Sequence, residues 1–70
     1  MNLTQVNIGT EYIIRSIEVE DEELESFLFS LGCYEGESIT VVSRRKKTCV
    51  VSIKDARYSI DNQLAEAILI

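Results

Sequence analysis

Leu24-Glu25-Ser26-Phe27-Leu28-Phe29-Ser30-Leu31-Gly32-Cys33-Tyr34-Glu35-Gly36 is the most strongly specified stretch of this 70-residue chain. Leu24, Phe27, Leu28 and Leu31 recur at the spacing that gathers apolar side chains on one face of a helix. Glu25, Ser26 and Ser30 fall between them and can face water. Gly32 follows the last apolar position, where helices commonly end in a left-handed conformation that glycine adopts without strain. Gly36 then marks a turn in Tyr34-Glu35-Gly36-Glu37, just before a β-branched run. An amphipathic helix therefore ends at one glycine and feeds a strand through a second.

Upstream, the acidic run Glu18, Glu20, Asp21, Glu22, Glu23, Glu25 opens this helix. Asp21 is the expected N-cap, and the glutamates sit favourably beside the positive end of the helix dipole. Tyr12 to Ile17 reads as a strand. Its apolar residues do not alternate, since Tyr12, Ile13 and Ile14 are consecutive, so a bulge or burial on both faces is expected. Met1 to Gly9 is polar with isolated Leu3, Val6 and Ile8, and reads as irregular structure lying against the domain.

Downstream, Glu37 to Ser43 reads as a strand with Ile39 and Val41 on one face. Arg44 to Lys47 reads as the connecting turn and Thr48 to Lys54 as the next strand. Asp55-Ala56 is a short turn, and Arg57 to Ile60 a further strand. Asp61 can cap a single helical turn over Asn62, Gln63, Leu64 and Ala65 before a closing strand, Ala67 to Ile70. A strand, a helix, three strands on short turns, a helical turn and a last strand describe a small curled sheet. Closure would remove exposed strand edges. The expected fold is mainly β: a small five-stranded SH3-like barrel, one amphipathic helix packed over an open side, and a short helical turn before the last strand. The chain is one domain, residues 1–70.

Composition narrows the function. A net charge of −5 disfavours general attraction to nucleic acid or to anionic membranes. No apolar stretch approaches the about 20 residues needed to span a bilayer. The chain has no histidine, the usual general base near neutral pH, and no serine with a visible base partner, so no enzyme activity is expected. Cys33 and Cys49 are the candidate metal ligands: together with a glutamate they would make a partial site for a divalent transition metal such as iron or zinc. The preferred reading is that no metal is bound, Cys33 packing beside the helix exit and Cys49 in the interior, as buried cysteines usually do. No secretory signal precedes them, so free thiols in the cytoplasm are expected. The basic run Arg44 to Lys47 reads as a solvated hairpin tip without the aromatic platforms of single-strand binders.

The order and spacing of these elements resemble the FeoA family, the small cytosolic component of bacterial ferrous iron uptake. The resemblance rests on Gly9 before the first strand, Phe27-Leu28-Phe29-Ser30-Leu31-Gly32-Cys33, and Glu35-Gly36 ahead of Ile39-Thr40-Val41-Val42. It extends through Val51-Ser52-Ile53-Lys54, Arg57-Tyr58-Ser59-Ile60, then Ala65, Ile68 and Ile70. Two positions depart from the family pattern: Glu35 stands where proline is usual, and Asp55 where glycine is usual in a tight turn. The resemblance implies a cytoplasmic accessory protein without a required cofactor, a monomer or weak homodimer. Its partner would be a FeoB-like membrane ferrous iron transporter, through the transporter's cytosolic GTPase part. The candidate partner-binding residues are Leu31, Cys33, Tyr34 and Glu35 at the helix exit, with Tyr34 as exposed anchor, and Arg44 and Arg45 as electrostatic support. The alternative implied by the resemblance is a metal-responsive SH3-like regulatory domain related to the C-terminal domain of iron-dependent repressors.

Overall fold

A computed structural model describes the whole chain, Met1–Ile70. Its elements are a 3₁₀ turn at Leu3–Gln5, β1 (Glu11–Ile13), β2 (Ser16–Ile17), α1 (Glu22–Ser30), β3 (Ser38–Arg44), β4 (Thr48–Ile53), β5 (Ala56–Asp61), α2 (Asn62–Ala67) and β6 (Ile68–Leu69). An antiparallel sheet in the order β1-β3-β4-β5 packs with a second, two-stranded sheet of β2 and β6.

The expected strand from Tyr12 to Ile17 is divided between these two sheets. Ile14 donates its N–H to the Glu37 carbonyl at 2.8 Å, and Arg15 donates to Leu69 at 2.7 Å, so the chain changes partner at this point. Burial nevertheless alternates through this stretch, with Ile13 57% exposed and Ile14 1% exposed, so neither a bulge nor burial on both faces is found, and Ile13 is simply an apolar residue on the open face. The barrel itself is not formed. The outer edge of β5 pairs with no strand, and the four-stranded sheet stays open. Helix α2, which is longer than the single expected turn, packs against β4 and β5, and the N-terminal 3₁₀ turn packs against α2.

The N-terminal segment is correspondingly part of the interior. Asn2 caps the 3₁₀ turn in a reciprocal arrangement with Gln5, and Leu3 and Val6 enter the core. A bulge in β3 holds this segment in place. Val41 pairs with Val51, but Ser43 pairs with Val50 and Arg44 with Cys49, so one extra residue lies between. Because side chains alternate faces along a strand, that single insertion moves Arg44 to an inward-facing register position. Its Nη2 donates to the Leu3 carbonyl at 3.0 Å and to the Val6 carbonyl at 3.2 Å. Arg44 is thus the last residue of β3 and a clamp on the N-terminus, not part of a free turn.

The core gathers Ile14, Leu28, Ile39, Val41, Val51, Ile53, Ile60 and Ile68 with the N-terminal residues, and no polar side chain is buried. Helix α1 contributes less than its apolar spacing implies. Leu28 is its one buried side chain, while Leu24 and Phe27 on the same stripe are 39% and 46% exposed. The expected packing of this helix over an open side of the sheet is therefore partial: it is anchored at its C-terminal end and uncovered along the rest.

Candidate functional site

The anchored end of α1 is built by backbone hydrogen bonding. Cys33 donates its N–H to the Leu28 carbonyl at 2.9 Å, and Gly32 donates to Phe29 at 2.9 Å. This pair of bonds is the Schellman arrangement, which satisfies carbonyls that a helix end otherwise leaves unpaired. It requires a left-handed residue between them, and Gly32 has φ +90°. The accompanying apolar contact is supplied by Leu28 and Cys33, both in the core. Gly36, with φ +93°, donates to the Ile14 carbonyl at 2.9 Å and turns the chain into β3.

Across from Gly32 lies the tight turn between β4 and β5. There Lys54 has φ +56°, so the left-handed position of this turn is Lys54 and not Asp55. The aliphatic stem of Lys54 and the Cγ2 of Ile53 lie directly over the Gly32 Cα, within 3.5 Å of where a β-carbon would project. The Lys54 ammonium continues to the Tyr34 hydroxyl, to which it donates at 3.1 Å. It lies 5.4 Å from the Tyr34 ring centroid, out beyond the hydroxyl edge, so the hydrogen bond and not a cation–π contact holds it. The Lys54 pKa is raised, chiefly by that hydroxyl and then by the Glu37 carboxylate. Glu37 stands 3.9 Å away as an exposed ion pair, a contact of small energetic weight. The Tyr34 ring also packs against Phe29, with centroids 4.8 Å apart at a tilt of 31°.

These groups enclose an open groove of about 370 Å³. Phe29, Leu31 and Tyr34 form the wall from the helix exit, and Ile53, Lys54 and Tyr58 the wall from the β4–β5 hairpin. The groove offers apolar and aromatic surface beside one ammonium group, which suits an apolar side chain with a neighbouring carboxylate or carbonyl. Phe29 is 63% exposed at its mouth.

Of the residues named from sequence, Leu31 and Tyr34 line this groove, both half-buried, and Glu35 is exposed beside it. Cys33 was expected at the contact surface, but it is 2% exposed and belongs to the core, because its place in the helix-capping motif turns it inward. Arg44 and Arg45 do not reach the groove. Arg45 stays exposed at the hairpin tip, whose carbonyls at Lys46 and Lys47 accept hydrogen bonds from Asn62 at the start of α2. Phe29, Lys54 and Tyr58 were missed. Phe29 had a readable signal, since it is a large apolar residue lying off the helix stripe.

The two cysteines are not gathered into a cluster of metal-ligating side chains. Both are buried as free thiols, Cys33 at the helix exit and Cys49 within β4, and no three Cys, Asp or Glu side chains converge on one point. Burial pushes the Cys33 thiol up from 9.0 to about 11. Burial also raises Cys49, with Arg44 opposing and Asp61 adding to the rise. Metal ligation requires the thiolate, which these surroundings disfavour.

The family model for the FeoA domain matches residues 1–70. No curated protein matches the chain. Several solved structures share its fold, among them the following three. The crystal structure of an iron uptake regulatory protein, FeoA, is similar with a TM-score of 0.85 at 22% identity, over 97% of this chain and 91% of that one. Stenotrophomonas maltophilia FeoA complexed with zinc, described as a procaryotic SH3 domain protein, gives 0.86 at 18% identity, over 99% of this chain and 87% of that one. A manganese-dependent transcriptional repressor gives 0.87 at 21% identity, over 97% of this chain but 39% of its own. No helix of this chain is long and apolar enough to cross a membrane.

Proposed function

This chain belongs to the FeoA domain family, and from that premise we propose that it is a non-enzymatic accessory protein of ferrous iron transport. It docks in the cytoplasm on the GTPase part of a FeoB-like membrane transporter. The observation that carries this reading is the family match across the full 70 residues. It is supported by the zinc-complexed relative, for which the role suggested is that of a bacterial ferrous iron transport activating factor. The docking surface is the helix-exit groove, where Leu31 and Tyr34 stand with Phe29, Lys54 and Tyr58. Glu35 borders it, and Arg45 adds charge at a separate point on the surface. Aromatic residues in a preformed pocket are the usual anchors of a protein interface.

Binding of the purified chain to the transporter's cytosolic domain, measured by calorimetry, tests the reading. Tyr34→Ala is expected to weaken binding about tenfold or more, as an anchoring aromatic does, and Arg45→Gln to weaken it less and mainly at low salt. Failure of the parent chain to bind would overturn the partner. Unchanged binding by both variants, with unchanged circular dichroism, would overturn the surface.

A second reading, a metal-responsive regulatory domain, is favoured by the likeness to the manganese-dependent repressor, of which this chain spans well under half. Manganese-dependent change in the chain's amide resonances at micromolar metal would support it.

A further inference from the structure

The uncovered end of α1 borders a second cleft, separate from the helix-exit groove. It lies between the β2–α1 connection and α2, holds about 450 Å³, and has Val19, Leu24 and Leu64 among its apolar walls. Leu24 is 39% exposed, and Phe27, one helical turn along, is 46% exposed. Two large apolar side chains left uncovered on one helix stripe beside a cleft mark a place where another molecule packs.

The charges around the cleft identify that molecule's chemistry. Glu18, Glu20, Asp21 and Asp61 line it, and no lysine or arginine does. None of the four is ion-paired, since the one ion pair of the chain joins Lys54 to Glu37. Asp21 and Asp61 each cap a helix through one carboxylate oxygen, on Glu23 and Leu64 respectively, so their charges are held at the cleft. An anionic lipid surface is repelled here, and so is the acidic α1 face of another copy of this chain, whose net charge is −5. The lining comes from two helices and a connection, apart from Asp61 at the end of β5, so the cleft presents no free strand edge to an extended peptide. Its occupant is therefore bound through side chains, as when a helix lays its apolar stripe into a groove.

We propose that the cleft between Val19, Leu24 and Leu64, rimmed by Glu18, Glu20, Asp21 and Asp61, receives a basic amphipathic helix of a partner protein. Apolar side chains of that helix fill the cleft and meet Phe27, while its flanking lysines or arginines face the acidic rim. The proposal does not depend on the iron-transport reading, because the surfaces and the variants that test them differ.

A designed Leu/Lys amphipathic helix of about four turns, with a Leu/Glu helix of the same pattern as control, provides the test. Titrated into the isotope-labelled chain, the Leu/Lys helix is expected to shift amides concentrated in 18–24 and 61–67 and to saturate, with binding weakened by salt. The Leu/Glu helix is expected to leave them unmoved. Leu24→Ser, a substitution of an exposed residue, is expected to lower affinity about tenfold, and Phe29→Ser at the other groove to leave it unchanged. Shifts spread over every acidic residue, shifts centred on the helix-exit groove, equal binding of the Leu/Glu helix, or full affinity of Leu24→Ser would each overturn the proposal.

Discussion

Replacing Gly32 with alanine separates two physical reasons for a glycine at the end of α1. The first is backbone: Gly32 has φ +90°, where an L residue is strained by about 1–2 kcal/mol. The second is space. An added β-carbon would lie 3.2 Å from Lys54 Cε and 3.3 Å from Ile53 Cγ2. The lysine stem is exposed and can swing away, but Ile53 is 1% exposed and held in β4, so it must move against its neighbours. One such contact adds about 1 kcal/mol, the low end of the cost of overpacking. The expected loss is about 2–3 kcal/mol, or a fall in Tm of roughly 10–20 °C for a domain this small. Gly36 is the internal control: its φ is +93° and nothing lies within 4 Å of its added β-carbon, so Gly36→Ala should show the backbone part alone. Urea denaturation followed by far-UV circular dichroism measures both. Gly32→Asn should recover part of the backbone cost, since asparagine tolerates left-handed geometry, but none of the steric cost. Equal losses at Gly32 and Gly36 would refute the role given to Ile53. A loss below about 0.5 kcal/mol at Gly32 would refute the left-handed argument as well.

The remaining predictions concern the N-terminal clamp and the buried thiol. Arg44→Ala removes two charge-assisted hydrogen bonds to the Leu3 and Val6 carbonyls and should cost about 1.5–3 kcal/mol. Hydrogen exchange should quicken first at the amides of Gln5 and Ile70, which bond within or to that segment, and Arg44→Lys should restore only part of the protection. For Cys33, the unfolded thiol loses its proton near 9.0 and the folded one near 11. Between those values the folded state keeps a proton that the unfolded state has released, so stability is full below pH 9 and falls as pH rises towards 11. At 1.36 kcal/mol for each pH unit, the loss is on the order of 2–3 kcal/mol. Comparing the denaturation midpoints of the parent and Cys33→Ala across this range checks it, since the slope should flatten in the variant.

Much of the fold was legible because it is specified locally. The stop of α1 at Gly32, the turn at Gly36, the inward face of β3 through Ile39 and Val41, and the caps at Asp21 and Asp61 each follow from neighbouring residues. The consecutive apolar residues Tyr12, Ile13 and Ile14 misled: the expected bulge or two-sided burial is absent, and the chain instead changes sheet after Ile14. The candidate site was legible in part. Leu31 and Tyr34 were expected at a contact surface on the helix exit, and they line the groove there, but its opposite wall comes from Ile53, Lys54 and Tyr58, far along the chain. Cys33 was misplaced because the capping motif that glycine imposes also dictates which way the next side chain turns.

The sequence by itself determined most of where this chain makes helix, strand and turn, and which side chains share a face within an unbroken element. These properties depend on dihedral preferences and on periodicity within one element, and both act over a few residues. Tertiary structure alone decided which shared faces are covered. Leu24 and Phe27 carry the same pattern as Leu28 yet remain exposed, because covering them depends on what a distant part of the chain brings against that face. Likewise the bulge in β3 aims Arg44 at the N-terminus, and β5 keeps an open edge, with α2 packed against β5 and the Leu3–Gln5 turn packed against α2. Periodicity orients a side chain relative to its neighbours in sequence, whereas burial depends on long-range docking, which no local pattern encodes.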